Sequence, residues 1–136
     1  MKKLKLNVPN CCGCRLCELA CSFAHFDVFS HDIPNIHVSA VEDTCEFTPY
    51  VCVQCDQRAC IGVCPVDALS VSPETGAINA DRDACILCGL CIAACEKKGI
   101  RIIKYDGIER LAICDLCSGG EPRCAAACRE DAVVFV

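Results

Sequence analysis

No tryptophan occurs in this chain of 136 residues, methionine occurs once, and the aromatic set is five phenylalanines and two tyrosines. A short chain with so few large side chains builds a thin hydrophobic core, so packing alone is a poor means of holding it together. No apolar run approaches the roughly 18 residues that a membrane-spanning helix needs. The opening Met1-Lys2-Lys3-Leu4-Lys5-Leu6-Asn7-Val8-Pro9-Asn10 is basic. It has neither the apolar stretch nor the small-residue cleavage site of an export signal. These absences predict a cytoplasmic, reduced protein without a membrane span. The formal net charge is −5, which excludes the basic footprint of a nucleic-acid binder. Nothing resembles a Ser/His/Asp set, a phosphate loop or a paired-carboxylate signature, so no catalytic residues are expected and the chain is not an enzyme by itself.

What the chain has in their place is cysteine, 18 residues of it. Sixteen form four groups of four: Cys11, Cys14, Cys17 and Cys21; Cys52, Cys55, Cys60 and Cys64; Cys85, Cys88, Cys91 and Cys95; Cys114, Cys117, Cys124 and Cys128. The first and third groups read C-x2-C-x2-C-x3-C. That run is the ligand spacing of bacterial [4Fe–4S] ferredoxins, in which the fourth cysteine serves a different cluster from the first three. Three thiolates within seven residues converge in one tight loop and can take three corners of a cube. The fourth follows one helical turn later and points elsewhere.

Other uses of so many thiols fit less well. A tetrahedral zinc site prefers two separated pairs, often with histidine. Here a third cysteine crowds the pairs of groups one and three, and His25, His31 and His37 share one connection without forming a ligand pair. A disulfide scaffold needs an oxidising compartment. A soft, thiolate-rich donor set suits iron–sulfur clusters. Four cubane clusters would make the chain an electron conductor, with a zinc-stapled interaction module as the competing reading from another class. Gly13 and Gly89 lie beside ligands and supply backbone freedom and N–H groups for cluster sulfurs.

The groups recur every 30 to 40 residues or so, which marks an internal repeat. Cys64, Cys95 and Cys128 each lead into a short polar turn and then a β-branched run: Ala68-Leu69-Ser70-Val71, Ile100-Arg101-Ile102-Ile103 and Ala132-Val133-Val134-Phe135. Ser72-Pro73-Glu74-Thr75-Gly76 is a turn signal before a returning strand at Ala77-Ile78-Asn79. Asp106-Gly107 is a hairpin dipeptide between Ile102-Ile103 and Leu111-Ala112-Ile113. Short helices are expected at Glu18–Cys21 and Ile92–Cys95. Residues 22–51 form a longer connection with one strand candidate, Ile36-His37-Val38. The predicted fold class is α+β: tandem or nested bacterial-ferredoxin-like units with short helices, small antiparallel hairpins and long loops.

The segments CCGCRLCELAC, VCVQCDQRACIGVCPVDAL, CILCGLCIAAC and ICDLCSGGEPRCAAAC resemble the four-cluster electron-transfer subunits that accompany dimethyl sulfoxide reductase, formate dehydrogenase and hydrogenases. The opening C-x-G-C-x-x-C-E-x-A-C-S, with His25 soon after, is most similar to the small iron–sulfur subunit of tungsten aldehyde:ferredoxin oxidoreductase-type enzymes. The resemblance spans residues 8–136. It implies four [4Fe–4S] clusters paired between groups one and four and between groups two and three. Cluster A would take Cys11, Cys14, Cys17 and Cys128; cluster B, Cys114, Cys117, Cys124 and Cys21. Cluster C would take Cys52, Cys55, Cys60 and Cys95; cluster D, Cys85, Cys88, Cys91 and Cys64. Spacing alone does not choose this over tandem pairing. The single body 1–136 would then hold an inner two-cluster unit, 50–105, nested between 1–49 and 106–136 as the outer unit.

The resemblance further implies an electron-transfer subunit that serves a large catalytic oxidoreductase subunit of the tungsten- or molybdenum-pterin kind. A flavin, NAD or ferredoxin acceptor, or further copies of the chain, would stand at its other end. A freely diffusing polyferredoxin is the alternative. Only Cys64 is followed by proline, and Glu96 and Arg129 stand where relatives often carry one. Outside the groups, Cys12 and Cys45 read as small buried or half-buried residues, with Cys12 beside Cys11 as an alternative ligand, and His25 as a solvated or core histidine or one hydrogen-bonded near a cluster. Lys97, Lys98, Arg101 and Lys104 form a basic patch that reads as a solvated face.

Overall fold

The computed structural model describes residues 2–41 and 43–136. It is a mixed α and β fold of short helices and two-stranded hairpins. Among the described residues there are four helices, α1 (Leu16–Phe26), α2 (Ala59–Gly62), α3 (Leu90–Ala94) and α4 (Arg123–Ala127). The strands are β1 (Leu4–Leu6), β2 (His37–Ala40), β3 (Phe47–Tyr50), β4 (Leu69–Val71), β5 (Ile78–Ala80), β6 (Arg101–Tyr105), β7 (Ile108–Ala112) and β8 (Val133–Phe135). They pair antiparallel as β1 with β8, β2 with β3, β4 with β5 and β6 with β7.

The β-branched runs after Cys64, Cys95 and Cys128 become β4, β6 and β8. Asp106 and Gly107 both have positive φ, 53° and 79°, which matches the right-handed twist of the β6–β7 hairpin. Two strands were not legible. β1 lies in the basic N-terminal segment and pairs Leu4 with Phe135, a partner about as distant in sequence as the chain allows. β3 contains Pro49, opposite Val38; a proline is tolerated there because a two-stranded sheet leaves an edge free of ladder bonds. Helix α1 is also longer than expected. It runs on through Cys21 for 11 residues, whereas α3 and α4 stop with Cys95 and Cys128 as their C-terminal caps.

A repeated backbone device shapes each cysteine loop. The residue before the second cysteine of every group is left-handed: Gly13 (φ 77°), Gln54 (53°), Leu87 (56°) and Leu116 (54°). A second left-handed residue follows that cysteine: Arg15, Arg58, Gly89 and Ser118. A third closes the turn three residues after the fourth cysteine, at Asp67, Lys98 and Asp131. Group one lacks it because α1 continues there. In groups one and three the left-handed residues flank a right-handed cysteine, whereas in group four Leu116, Cys117, Ser118 and Gly119 are left-handed in succession. A left-handed residue beside a right-handed one turns consecutive N–H groups inward into a concavity that favours negative charge.

The main buried cluster joins Leu4, Ile36, Val38, Val51, Leu69, Ile78, Leu111, Ile113, Leu116 and Val133 to Cys17, Cys21, Cys52, Cys60, Cys91, Cys114 and Cys124. Thiols are thus core components, as the thin aliphatic inventory requires. Gly99 shows how tightly loops meet here. A Cβ on it would lie 2.5 Å from the Cys52 nitrogen and 2.7 Å from the Val51 carbonyl carbon. Backbone cannot rotate out of the way, so Gly99→Ala is expected to destabilise the fold by about 1–3 kcal/mol, read from the denaturation midpoint. Gly62→Ala, where nothing lies within 4 Å, should be close to neutral.

Candidate metal centres

All 18 cysteines are free thiols. Sixteen of them come together as four sets, each drawn from two groups. Cys11, Cys14, Cys17 and Cys128 line one cavity with Cys12, Val38 and Pro49 (site A). Cys64, Cys85, Cys88 and Cys91 line another with Ile86, Leu87 and Leu111 (site D). Cys55, Cys60 and Cys95 line a third; Cys52 belongs with them, since the charges of Cys60, Cys95 and Cys55 act on its thiol (site C). Cys124 feels Cys21 and Cys117, and Cys114 feels Cys124 and Cys21 (site B). Helix α1 carries Cys17 and Cys21 and packs on α4, which carries Cys124. Helix α2 carries Cys60 and packs on α3, which carries Cys91.

The sites follow one another in a row. Cys124 of site B is close enough to Cys17 of site A to be raised by its charge. Cys114 of site B is raised in the same way by Cys52 of site C. The α2–α3 contact joins C to D. Exposure follows this order: site A has Cys14 exposed and site D has Cys88 exposed, whereas every cysteine of sites B and C is buried or half-buried.

Burial dominates the electrostatics. It pushes the Cys17 thiol up to about 12, with Glu18's charge adding to it. It pushes Cys52 up to about 11 and raises Cys114 and Cys124 further. Backbone N–H groups act the other way. Asn35 N–H donates to Cys21 Sγ (3.3 Å), Ala68 to Cys64 (3.2 Å), Gly99 to Cys95 (3.4 Å) and Leu116 to Cys114 (3.4 Å). At half-buried Cys64 they win: the N–H groups of Ala68 and Val66 hold its thiol below the ordinary value. Buried thiolates thus need positive charge in the cavity, with N–H donors already directed at them. Among the described residues no three His, Cys, Asp or Glu side chains converge to hold a single ion. Four thiols spread around a cavity suit a polynuclear cluster, in which each binds a different iron.

Three expectations are corrected. Cys12 and Cys45 are both exposed, because each sits on a loop outside the core. His25 is neither free in solvent nor a plain core residue. Its Nδ1 faces the Cys21 carbonyl at 2.8 Å and lies 3.7 Å from Cys21 Sγ, and its Nε2 faces Asp115 Oδ1 at 3.0 Å. With acceptors at both nitrogens, the Asp115 carboxylate above all, its pKa rises to about 11. The basic patch also divides. Arg101 turns inward, half-buried, and donates to the Pro34 carbonyl. Lys104, an odd number of residues along the same strand, faces outward.

Two buried polar residues escaped the sequence reading. Glu18 is fully buried. Its Oε1 accepts from His31 at 2.9 Å and its Oε2 from the Val38 N–H at 2.9 Å, with His37 at 3.4 Å. It ties α1 to the segment whose Asn35 donates to Cys21. One acid in an apolar helix, followed by three histidines, was the available signal. Gln54, 1% exposed, lies inside a cysteine motif, where nothing drew attention to it.

Short helices and hairpins around four cysteine sets at ferredoxin spacing define a class: ferredoxin-like electron-transfer proteins with several iron–sulfur sites. No family model matches the chain. It is 41% identical over 120 residues to the polyferredoxin-like subunit of aliphatic sulfonate oxidoreductase from Pyrococcus furiosus, covering 88% of this chain and 67% of the relative. It is 35% identical to the putative electron transport protein YsaA of Escherichia coli K12, covering 90% of this chain and 81% of that one. It is 30% identical to the electron transport protein HydN of the same strain, covering 96% and 85%. The chain therefore belongs to this family of multi-cluster, ferredoxin-like electron-transport proteins. No helix among the described residues is long and apolar enough to cross a membrane.

Glu18 offers a direct check on the site's scaffold. Glu18→Ala leaves the Val38 N–H without an acceptor and should cost about 1–3 kcal/mol in chemical denaturation of the metal-loaded protein. Glu18→Gln keeps an acceptor and should lose less.

Proposed function

We propose that the chain is a non-catalytic subunit that conducts electrons one at a time through four [4Fe–4S] clusters, to or from a larger oxidoreductase subunit. Cys11, Cys14, Cys17 and Cys128 would hold cluster A, and Cys21, Cys114, Cys117 and Cys124 cluster B. Cys52, Cys55, Cys60 and Cys95 would hold cluster C, and Cys64, Cys85, Cys88 and Cys91 cluster D. When bound, each cluster supplies a one-electron couple tuned by its hydrogen bonds and exposure. The protein's own part is to hold the thiolates, direct N–H groups at them and keep water from the inner pair.

The observation that carries this reading is the graded row of sites. The two end sites each have one exposed cysteine and the two middle sites have none. A conductor needs contact with donors and acceptors at its ends and insulation between them. The nested arrangement, 50–105 within 1–49 and 106–136, fits the pairing of β1 with β8. At the site D end Ile86, Leu90 and Val66 are 61%, 50% and 38% exposed, an apolar setting that suits burial against a large subunit. The Pyrococcus furiosus relative is named as a subunit of an oxidoreductase, which favours a subunit over a free polyferredoxin. The partner we propose is a tungsten- or molybdenum-pterin enzyme, with a flavin, NAD or ferredoxin acceptor at the opposite end.

Iron should approach 16 per chain with equal sulfide, as four cubanes require; about four zinc and no iron would end the proposal. Cys14→Ala and Cys128→Ala should disturb the same cluster in the reduced spectrum, and Cys21→Ala the one disturbed by Cys117→Ala. Matching effects of Cys14→Ala and Cys64→Ala would establish tandem pairing instead. Tungsten and molybdenum assay of whatever co-purifies with the native protein tests the partner.

A further inference from the structure

The four cysteine loops are internal copies of one another, so each serves as a control for the rest. The left-handed position before the second cysteine is Gly13, Leu87 and Leu116 in three copies. In the fourth it is Gln54. Leu116 is 2% exposed and Gln54 is 1% exposed, so the glutamine occupies an equally closed space. Putting an amide there costs desolvation unless both its ends are satisfied. Both are. Gln54 Oε1 accepts from the Ile78 N–H on β5 at 3.0 Å, and Nε2 donates to the Cys114 carbonyl at 2.8 Å. The side chain starts from the loop of site C, is anchored on its own hairpin and grips the peptide of a site B cysteine.

The grip falls between sites B and C, where the Cys114 thiol of site B is near enough to Cys52 of site C to be raised by its charge. On the site B side, the Cys114 carbonyl held by Gln54 orients the loop in which the Leu116 N–H donates to Cys114 Sγ at 3.4 Å. On the site C side, the backbone N–H of Gln54 itself bonds to Cys52. The Gln54 side chain thus ties the Cys114 loop to β5 and to the loop of site C, and holds both loops from which these backbone N–H groups reach Cys114 and Cys52. Leucine, the residue used at sites B and D, supplies the same backbone donor to its own loop, as Leu116 does to Cys114, but could not make the two side-chain bonds across the gap.

We propose that Gln54 is the positioning residue that couples site B to site C and sets the potentials of that inner pair. The inference rests on reading the four sets as iron–sulfur centres. Its test is Gln54→Leu, which restores the residue of the other copies without changing charge, and Gln54→Met, which also matches the glutamine in length. Both are made in the full chain, purified anaerobically with its native partner, and iron and sulfide are assayed first. A wild-type protein without iron would sink the parent reading and is recognisable at that step. In loaded variants, stepwise reductive titration followed by electron paramagnetic resonance should show two of the four midpoint potentials falling, because hydrogen bonds to the sulfurs are weakened, and two unchanged. The magnetic interaction signal between neighbouring reduced clusters should change with them. Four unchanged midpoints with an unchanged interaction signal would overturn the proposal. So would an equal shift of all four, which reports a general loosening. Loss of iron from all sites in both variants would make Gln54 a folding residue only, and would also overturn it. If the leucine variant alone fails to load, the methionine variant decides.

Discussion

Burying thiolate is the constraint on which the rest of this structure depends. Seven of the cysteines sit in the aliphatic core, and burial raises the thiols of Cys17, Cys52, Cys60, Cys91, Cys114 and Cys124, Cys17 to about 12 and Cys52 to about 11. A deprotonated ligand set in that position is stable only with positive charge inside the cavity. On the proposed reading, core and cofactor sites are the same atoms. A chain with no tryptophan and five phenylalanines would then gain its cross-links from the clusters, and folding and metal loading would be coupled.

The same constraint accounts for the backbone. Thiolates need N–H donors around them, and a right-handed turn alone does not aim consecutive N–H groups at one point. The left-handed residues do so, yet only Gly13 and Gly89 among the cysteine-loop positions discussed have the residue for which that conformation costs nothing. At Gln54, Leu87, Leu116, Arg15 and Arg58 the loop carries strain of order 1 kcal/mol each, which is offset once the sulfurs are held from several sides.

This separation of causes explains what the sequence made legible. The cysteine groups, the β-branched runs after them and the Asp106-Gly107 turn are local signals, and β4, β6, β8 and the β6–β7 hairpin stand where they pointed. Strand β1 exists only because β8 lies alongside it, and no pattern in Lys2-Lys3-Leu4-Lys5-Leu6 announces a partner at the other end of the chain. Glu18 and Gln54 failed to register for a similar reason. Each is a polar residue whose burial is decided by segments distant in sequence, and periodicity reports only which residues share a face. His25 was misjudged because Asp115, 90 residues on, determines its role.

The pairing of groups across the chain has a mechanical consequence. Were each group to close its own site, the helices could separate without breaking a ligand set. Here Cys17 and Cys21 leave the same helix for different sites, with Cys128 completing one and Cys114 facing the other. Cys60 within α2 and Cys64 just after it divide in the same way between sites C and D. On the proposed pairing, opening either helix pair would strip a thiolate from two sites at once. Neighbouring sites would thereby be held at fixed spacing by shared elements, and the spacing is what an electron carrier must protect. The B-to-C step has no such shared helix. The chain runs from Cys95 to Cys114 through the β6–β7 hairpin, and the Gln54 side chain bonds to the Cys114 carbonyl, where the chain departs from its own repeat to place a buried amide.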